Sequence, residues 1–137
     1  MSIAYLDSSA LVKLMVREDE TSALEADLAG RDGLVTSSLA MVECRRAAAR
    51  AGNRRVLQRV SDVLEAVYLL DLTTPVLEQA AGLRPTPVRS LDAIHIATAI
   101  SIGDDDLEVI TYDDRMADAA RANGLRVAQP GTRTSRT

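Results

Sequence analysis

Short apolar runs and longer mixed segments alternate along the whole chain. Ile3 to Leu6 is the first short run, broken by Asp7-Ser8-Ser9; Leu34 to Thr36, Val67 to Leu70, Val109 to Thr111 and Leu125 to Ala128 repeat the pattern. Runs this short and this apolar suit strands covered on both faces. The segments between them carry helix signals. They run over about Ser9 to Val16, Asp19 to Ala29 with Gly30 as a stop, and Ser37 or Ser38 to Ala51 with Gly52 beyond. Further helices are predicted over Arg54 to Glu65, Thr74 to Gly82, Ser90 to Ile102 and Asp113 or Asp114 to Ala122, the last stopped by Gly124. Serine and aspartate supply acceptors for a helix's first amides, proline suits the first turn, and glycine closes the last one. Arg84-Pro85-Thr86-Pro87 is a non-helical linker and Asp104-Asp105-Asp106 a polar loop. Strands alternating with helices predict an α/β fold whose parallel sheet is buried between helices. One domain is expected over 1–128, followed by a polar, flexible tail over 129–137.

Composition narrows the chemistry. The chain has 137 residues, 47% hydrophobic and 26% charged, enough apolar material for one core. Its only aromatics are three tyrosines, so stacking of bases on aromatic platforms is hardly available. The single cysteine, Cys44, forbids an intrachain disulfide and reads as a small buried hydrophobe. The N-terminal stretch is interrupted by Asp7 and Lys13, so neither a signal peptide nor a membrane span is expected, and the protein is expected in the cytoplasm. Net charge is −4, yet all basic residues but Lys13 are arginines, and Arg45, Arg46, Arg50, Arg54, Arg55 and Arg59 crowd together with no acid among them. That stretch suits either a solvated helix face or a phosphate-tracking patch, with Arg45, Arg46 and Arg50 the candidate phosphate contacts.

The candidate site is a set of acids. Asp7 ends the first strand and Asp113 follows the fourth, so both face the carboxyl edge of the sheet, where α/β proteins bind ligands. Asp92 falls in the first turn of the helix opened by Ser90, and Glu43 shares a helix face with Ala40 and Ala47. Singly, Asp7 and Asp113 also read as N-caps and Asp92 as a first-turn acid favoured by the helix dipole. Glu43 has no such explanation, because a carboxylate on a small-residue face needs a partner or a cation. Four acids from four segments, with no lysine or arginine alternating among them, must protonate or share cations, and carboxylate oxygens suit Mg²⁺ or Mn²⁺. Ser8, Ser9 and Thr111 are nearby hydroxyls that could orient a carboxylate or a water, and Asp114 adjoins Asp113. His95, the only histidine, reads by default as a satisfied structural group within an apolar helix. A glycine-rich phosphate loop is lacking, which argues against an NTPase.

The runs Leu6-Asp7-Ser8-Ser9-Ala10-Leu11-Val12-Lys13-Leu14, Ser38 to Glu43, Leu91-Asp92-Ala93-Ile94-His95-Ile96-Ala97 and Thr111-Tyr112-Asp113 resemble the PIN-domain family in order and spacing. Within it the likeness is to the VapC-type toxins of bacterial toxin–antitoxin pairs. The resemblance covers Ile3 to about Ala128. It implies a three-layer α/β/α sandwich with a parallel five-stranded sheet and an Mg²⁺- or Mn²⁺-dependent endoribonuclease. It carries the metal-binding and catalytic roles to Asp7, Glu43, Asp92 and Asp113, with Thr111 as the accompanying hydroxyl and Asp114 able to share or replace the role of Asp113. It further implies a homodimer, a cognate antitoxin and structured RNA targets such as transfer or ribosomal RNA.

Other readings remain at this point. A catalytically silent module of the same fold would need one acid displaced. A phosphoryl-transfer receiver would need paired acids after the first strand and a late lysine, whereas no lysine follows Lys13. A metal-dependent nuclease acting on DNA would share the same site chemistry, since the reader of the 2′-hydroxyl is not visible in the residues.

Overall fold

A computed structural model of the protein describes residues 2–132. Five parallel strands, β1 (Ile3–Leu6), β2 (Gly33–Ser37), β3 (Tyr68–Leu70), β4 (Glu108–Ile110) and β5 (Arg126–Ala128), form one sheet in the order β3-β2-β1-β4-β5. The helices are α1 (Ser8–Met15), α2 (Thr21–Ala29), α3 (Leu39–Ala51), α4 (Arg54–Glu65), α5 (Thr74–Ala81), α6 (Ser90–Ser101) and α7 (Asp114–Ala122). The predicted elements all form, with ends shifted by one or two residues in most cases.

Strand pleating sorts the core. On β1, Ala4 and Leu6 face one layer with Leu11, Leu24, Ala40, Cys44 and Val60, while Tyr5 faces the other with Ile96, Val109 and Met116. The central strand β1 is therefore apolar on both sides, as a parallel sheet between helical layers requires. A fully buried leucine such as Leu6 or Leu11 stabilises the fold by about 2 kcal/mol through area removed from water. Small residues on α3 (Ala40, Cys44, Ala48) and α6 (Ala93, Ala97) let the helices approach closely.

The strand order places β1 at the centre. The chain moves from β1 to β2 on one side and later returns to β4 on the other. The crevice above β1 and β4 is thus the switch point at which such sheets hold ligands.

Two expectations change. Ser90 and Ser38 do not cap their helices through their side chains. Ser90 is the first residue of α6, whose N-cap, Arg89, makes no side-chain bond, and Ser38 is the N-cap of α3 without a side-chain bond, while Ser37, the other expected cap, accepts the Leu39 amide through Oγ. The domain also continues past 128. Gln129 is buried, the Pro130 carbonyl accepts the Tyr112 hydroxyl at 2.8 Å, and Gly131 (φ +89°) packs so close to α2 that an added Cβ would meet Ala23 Cβ at 3.0 Å. The rest of the expected tail, 133–137, lies outside the described residues.

Candidate active site

Asp7, Glu43, Asp92 and Asp113 line one cleft of about 300 Å³ at the carboxyl edge of the sheet, together with Ser8, Ser9, Arg89, Ser90, Leu91 and His95. Asp7 is the deepest, with 4% of its surface exposed. Its Oδ1 caps α1 by accepting the Ala10 amide at 3.1 Å and also accepts Ser9 Oγ at 2.6 Å. Its Oδ2 accepts Thr111 Oγ1 at 2.6 Å. The capping reading of Asp7 thus holds, and the same carboxylate lines the cleft.

Ser9 and Thr111 bind the two central strand ends together. Their hydroxyl oxygens lie 3.2 Å apart, Ser9 Oγ accepts the Tyr112 amide at 2.9 Å, and Thr111 Oγ1 accepts the Asp113 amide at 3.1 Å. Asp113 caps α7 through Oδ1, which accepts the Arg115 and Met116 amides. Asp92 lies half-buried in the first turn of α6, and its carboxylate has no hydrogen-bond partner among the described residues. Glu43 reaches in from α3, and its Oε1 lies 2.7 Å from His95 Nε2.

The electrostatics follow from this crowding. Burial pushes the Asp7 carboxyl above its usual range, opposed by the hydrogen bonds from Ser9 and Thr111. Asp92 is raised too, first by burial and then by the charges of Asp113 and Asp7. Cys44, behind Glu43, is pushed up to about 12 by burial and the neighbouring carboxylates, which leaves an inert thiol.

Sequence reasoning missed two features and left a third, the ranking of the hydroxyls, open. Arg89 lines the acidic cleft and lowers Asp92's proton affinity, so a cation does stand among the acids. Its signal is its place just before Ser90-Leu91-Asp92. His95, read as structural, is a wall of the cleft in contact with Glu43. Ser9, more than Ser8, is the hydroxyl at the centre. Ser8 lines the cleft without a hydrogen bond of its own among the described residues, and Asp114 is exposed outside it, with Oδ1 accepting Gln129 Nε2 at 3.4 Å.

A second, wider groove of about 700 Å³ adjoins the cleft and shares Ser8, Ser9, Glu43 and Leu91 with it. Arg46 and Arg50 line it one helical turn apart on α3. Arg45 is exposed on the same helix but outside the groove. None of these three arginines has an acidic partner among the described residues. Arg59 differs: its guanidinium donates to the Leu14 carbonyl at 2.7 and 3.1 Å, so it braces α4 against α1. A third groove, between α5 and α6, holds about 490 Å³ but is lined by no carboxylate, thiol or imidazole.

The donor set suits a hard divalent cation. It is all carboxylate oxygen, and Glu43 Oε2, Asp113 Oδ2 and both Asp92 oxygens make no hydrogen bond among the described residues. As the side chains lie, no group of three or more Asp, Glu, His or Cys among the described residues is gathered closely enough to hold a metal ion. No helix among them is long and apolar enough to cross a membrane.

Comparison with known proteins bears on the family and the fold. The PIN domain profile matches residues 4–122. Ribonuclease VapC46 of Mycobacterium tuberculosis is 45% identical over 136 residues, covering 95% of this chain and 99% of that protein. Ribonuclease VapC47 of the same species is 38% identical over 131 residues, with 93% and 96% covered. Among solved structures, a toxin–antitoxin complex from Klebsiella pneumoniae superposes with a TM-score of 0.71 at 24% identity, over 93% of this chain and 97% of that one. VapC20 of Mycobacterium tuberculosis, a sarcin-ricin loop cleaving toxin, gives 0.67 at 18% identity over 85% and 94%. Likeness at that identity bears on the fold, and both share the α/β architecture found here. With its profile match across most of the chain and full-length relatives above, the chain belongs to the PIN-domain family and, within it, to the VapC-type proteins.

Proposed function

We propose that the protein is the toxin of a toxin–antitoxin pair and an Mg²⁺- or Mn²⁺-dependent endoribonuclease, with Asp7, Glu43, Asp92 and Asp113 as its metal-holding and catalytic residues. One observation carries the reading: four carboxylates from four chain segments share one cleft at the switch point of the sheet, in a chain whose full-length relatives are ribonucleases. When bound, the cation would supply an activated water and charge neutralisation at the phosphodiester.

The chain's own residues do the positioning. Ser9, Thr111 and the Ala10 amide hold Asp7 by three hydrogen bonds, leaving it little freedom to turn away. Thr111 couples Asp7 to the backbone of Asp113, so these two acids are set relative to each other. Arg89 is placed to hold a phosphate oxygen at the cleft. Arg46 and Arg50, with Arg45 beside them, offer guanidinium groups to the RNA backbone along the adjoining groove. The same groove is apolar at Val12, Leu39, Val42 and Leu91, and it is the surface where a cognate antitoxin would lie. A second copy of the chain is the remaining expected partner, and transfer or ribosomal RNA the expected substrate.

The test is cleavage of a mixed pool of cellular RNA by purified, partner-free protein with Mg²⁺, Mn²⁺ or EDTA, beside Asp92→Asn. Metal-dependent cuts at a few discrete sites, lost by at least about 100-fold in the variant, are expected. No cleavage with either metal would move the weight to a silent PIN-fold binding module. Equal cutting of single-stranded DNA would move it to a nuclease that does not select RNA.

A further inference from the structure

The imidazole in the cleft belongs to a hydrogen-bonded chain that the proposed chemistry leaves unused. His95 lies one turn beyond Asp92 on α6 and is 2% exposed. Its Nδ1 is 2.7 Å from the Tyr5 hydroxyl, and its Nε2 is 2.7 Å from Glu43 Oε1. The two rings meet edge to face, with centroids 5.7 Å apart and planes at 75°. These three residues come from β1, α6 and α3, so the chain ties both helical layers to the central strand.

Donor and acceptor roles follow from the partners. A tyrosine hydroxyl carries one proton, and Nδ1 lies 2.7 Å from it, within reach to accept. A hydroxyl that donates to Nδ1 leaves the ring proton on Nε2, the atom facing Glu43. Glu43 has three free torsions and sits mid-helix at the edge of the cleft, so without a partner its carboxylate would sweep. Its Oε1 is occupied by the imidazole and its Oε2 has no bond among the described residues. A histidine that only filled the core would have no need to spend its outward nitrogen on an acid at the rim, whose side chain is 20% exposed.

We propose that His95, set by Tyr5, is a positioning residue: its Nε2–H holds Glu43 by Oε1 so that Oε2 is presented to the cation. This rests on the metal-dependent reading of the cleft. Partners of metal-holding groups typically contribute about ten- to a hundred-fold to metal affinity.

The experiment is Mn²⁺ binding by titration calorimetry on the full chain freed of partner, for wild type, His95→Leu, His95→Gln and Tyr5→Phe. Thermal melts run alongside, and ¹⁵N signals of the imidazole are read without metal. His95→Leu should bind Mn²⁺ about ten- to a hundred-fold more weakly. His95→Gln keeps a side-chain N–H donor and should recover most of that loss. The imidazole of the wild type should show the Nε2–H tautomer, and Tyr5→Phe should shift it and weaken Mn²⁺ several-fold. Wild-type affinity in His95→Leu, or a ring proton on Nδ1 alone, overturns the inference and leaves the nuclease reading standing. Absence of Mn²⁺ binding by wild type overturns the cation reading and this inference with it. Should His95→Leu fail to melt cooperatively, His95→Gln and Tyr5→Phe decide: Mn²⁺ affinity unchanged in Tyr5→Phe with an unmoved tautomer overturns the proposal.

Discussion

Asp7 caps α1 and lines the acidic cleft at once, and the cap and the proposed metal-holding role respond differently to substitution. Asparagine caps about as well as aspartate, so Asp7→Asn keeps the acceptor for the Ala10 amide. It removes the buried charge, and with it the repulsion that Asp7 exerts on Asp92. Cleavage should fall to background while the metal-free melting temperature stays level or rises. The pH dependence has a definite sign. A carboxyl whose folded pKa lies above its unfolded value binds its proton more tightly in the native state, so stability grows as pH falls through the folded value toward the unfolded one near 3.8. Glu20, lowered by Lys13, contributes in the opposite sense, so wild type alone is a poor reporter. The advantage of Asp7→Asn over wild type should be largest at neutral pH and shrink on acidification, read from denaturant melts in EDTA at several pH values. An advantage that grows on acidification would mean that Asp7 is not held against its charge.

The arginines of the basic stretch are not equivalent. Arg59 on α4 anchors its guanidinium on the carbonyl of Leu14 in the last turn of α1, an orphan acceptor that a helix end leaves behind. Arg59→Ala should cost roughly 1 kcal/mol, since a charged donor is lost from a site that is partly open to water. Arg46 and Arg50 on α3 make no such contact, and their removal should change stability by less than about 0.5 kcal/mol. It should instead weaken RNA binding and flatten its dependence on salt, because fewer counterions are released. Denaturant melts and salt-series binding of a short RNA separate the two classes. If Arg46→Ala/Arg50→Ala leaves the salt slope unchanged, the α3 face is only a solvated surface. The sequence displayed all six arginines but not this division, because the spacing of α1 against α4 is a tertiary quantity.

The site as a whole exists only in the folded chain. Its four acids lie at positions 7, 43, 92 and 113, joined through a sheet in which β1 is flanked by β2 and β4. A cation that binds this constellation and not the unfolded chain must stabilise the fold. At a hundredfold excess over its dissociation constant the gain is about 2.7 kcal/mol, which is several degrees in melting temperature. Mn²⁺ should raise the melting temperature of wild type and fail to raise that of an Asp7→Asn/Asp92→Asn variant. An equal rise in both would place the binding elsewhere on the molecule.

The alternation of short apolar runs with capped segments was sufficient for the architecture, because a strand buried on both faces and a helix stopped by glycine are local signals. The acids were legible for the same reason: Asp7 and Asp113 adjoin strand ends, and every parallel strand ends on one edge of the sheet. What the tertiary structure alone decided is which groups meet across the chain. Tyr5 and His95 are ninety positions apart and His95 and Glu43 fifty-two, so no local pattern announced their contacts. Arg89 stands at the cleft because α6 begins at Ser90, one residue earlier than a Ser90 cap implies, which makes Arg89 the N-cap. Gln129 belongs to the domain because Tyr112 and α2 close over the segment that follows it. Sequence carries local propensity and periodicity, whereas hydrogen-bond partners at long range are fixed only when the layers pack.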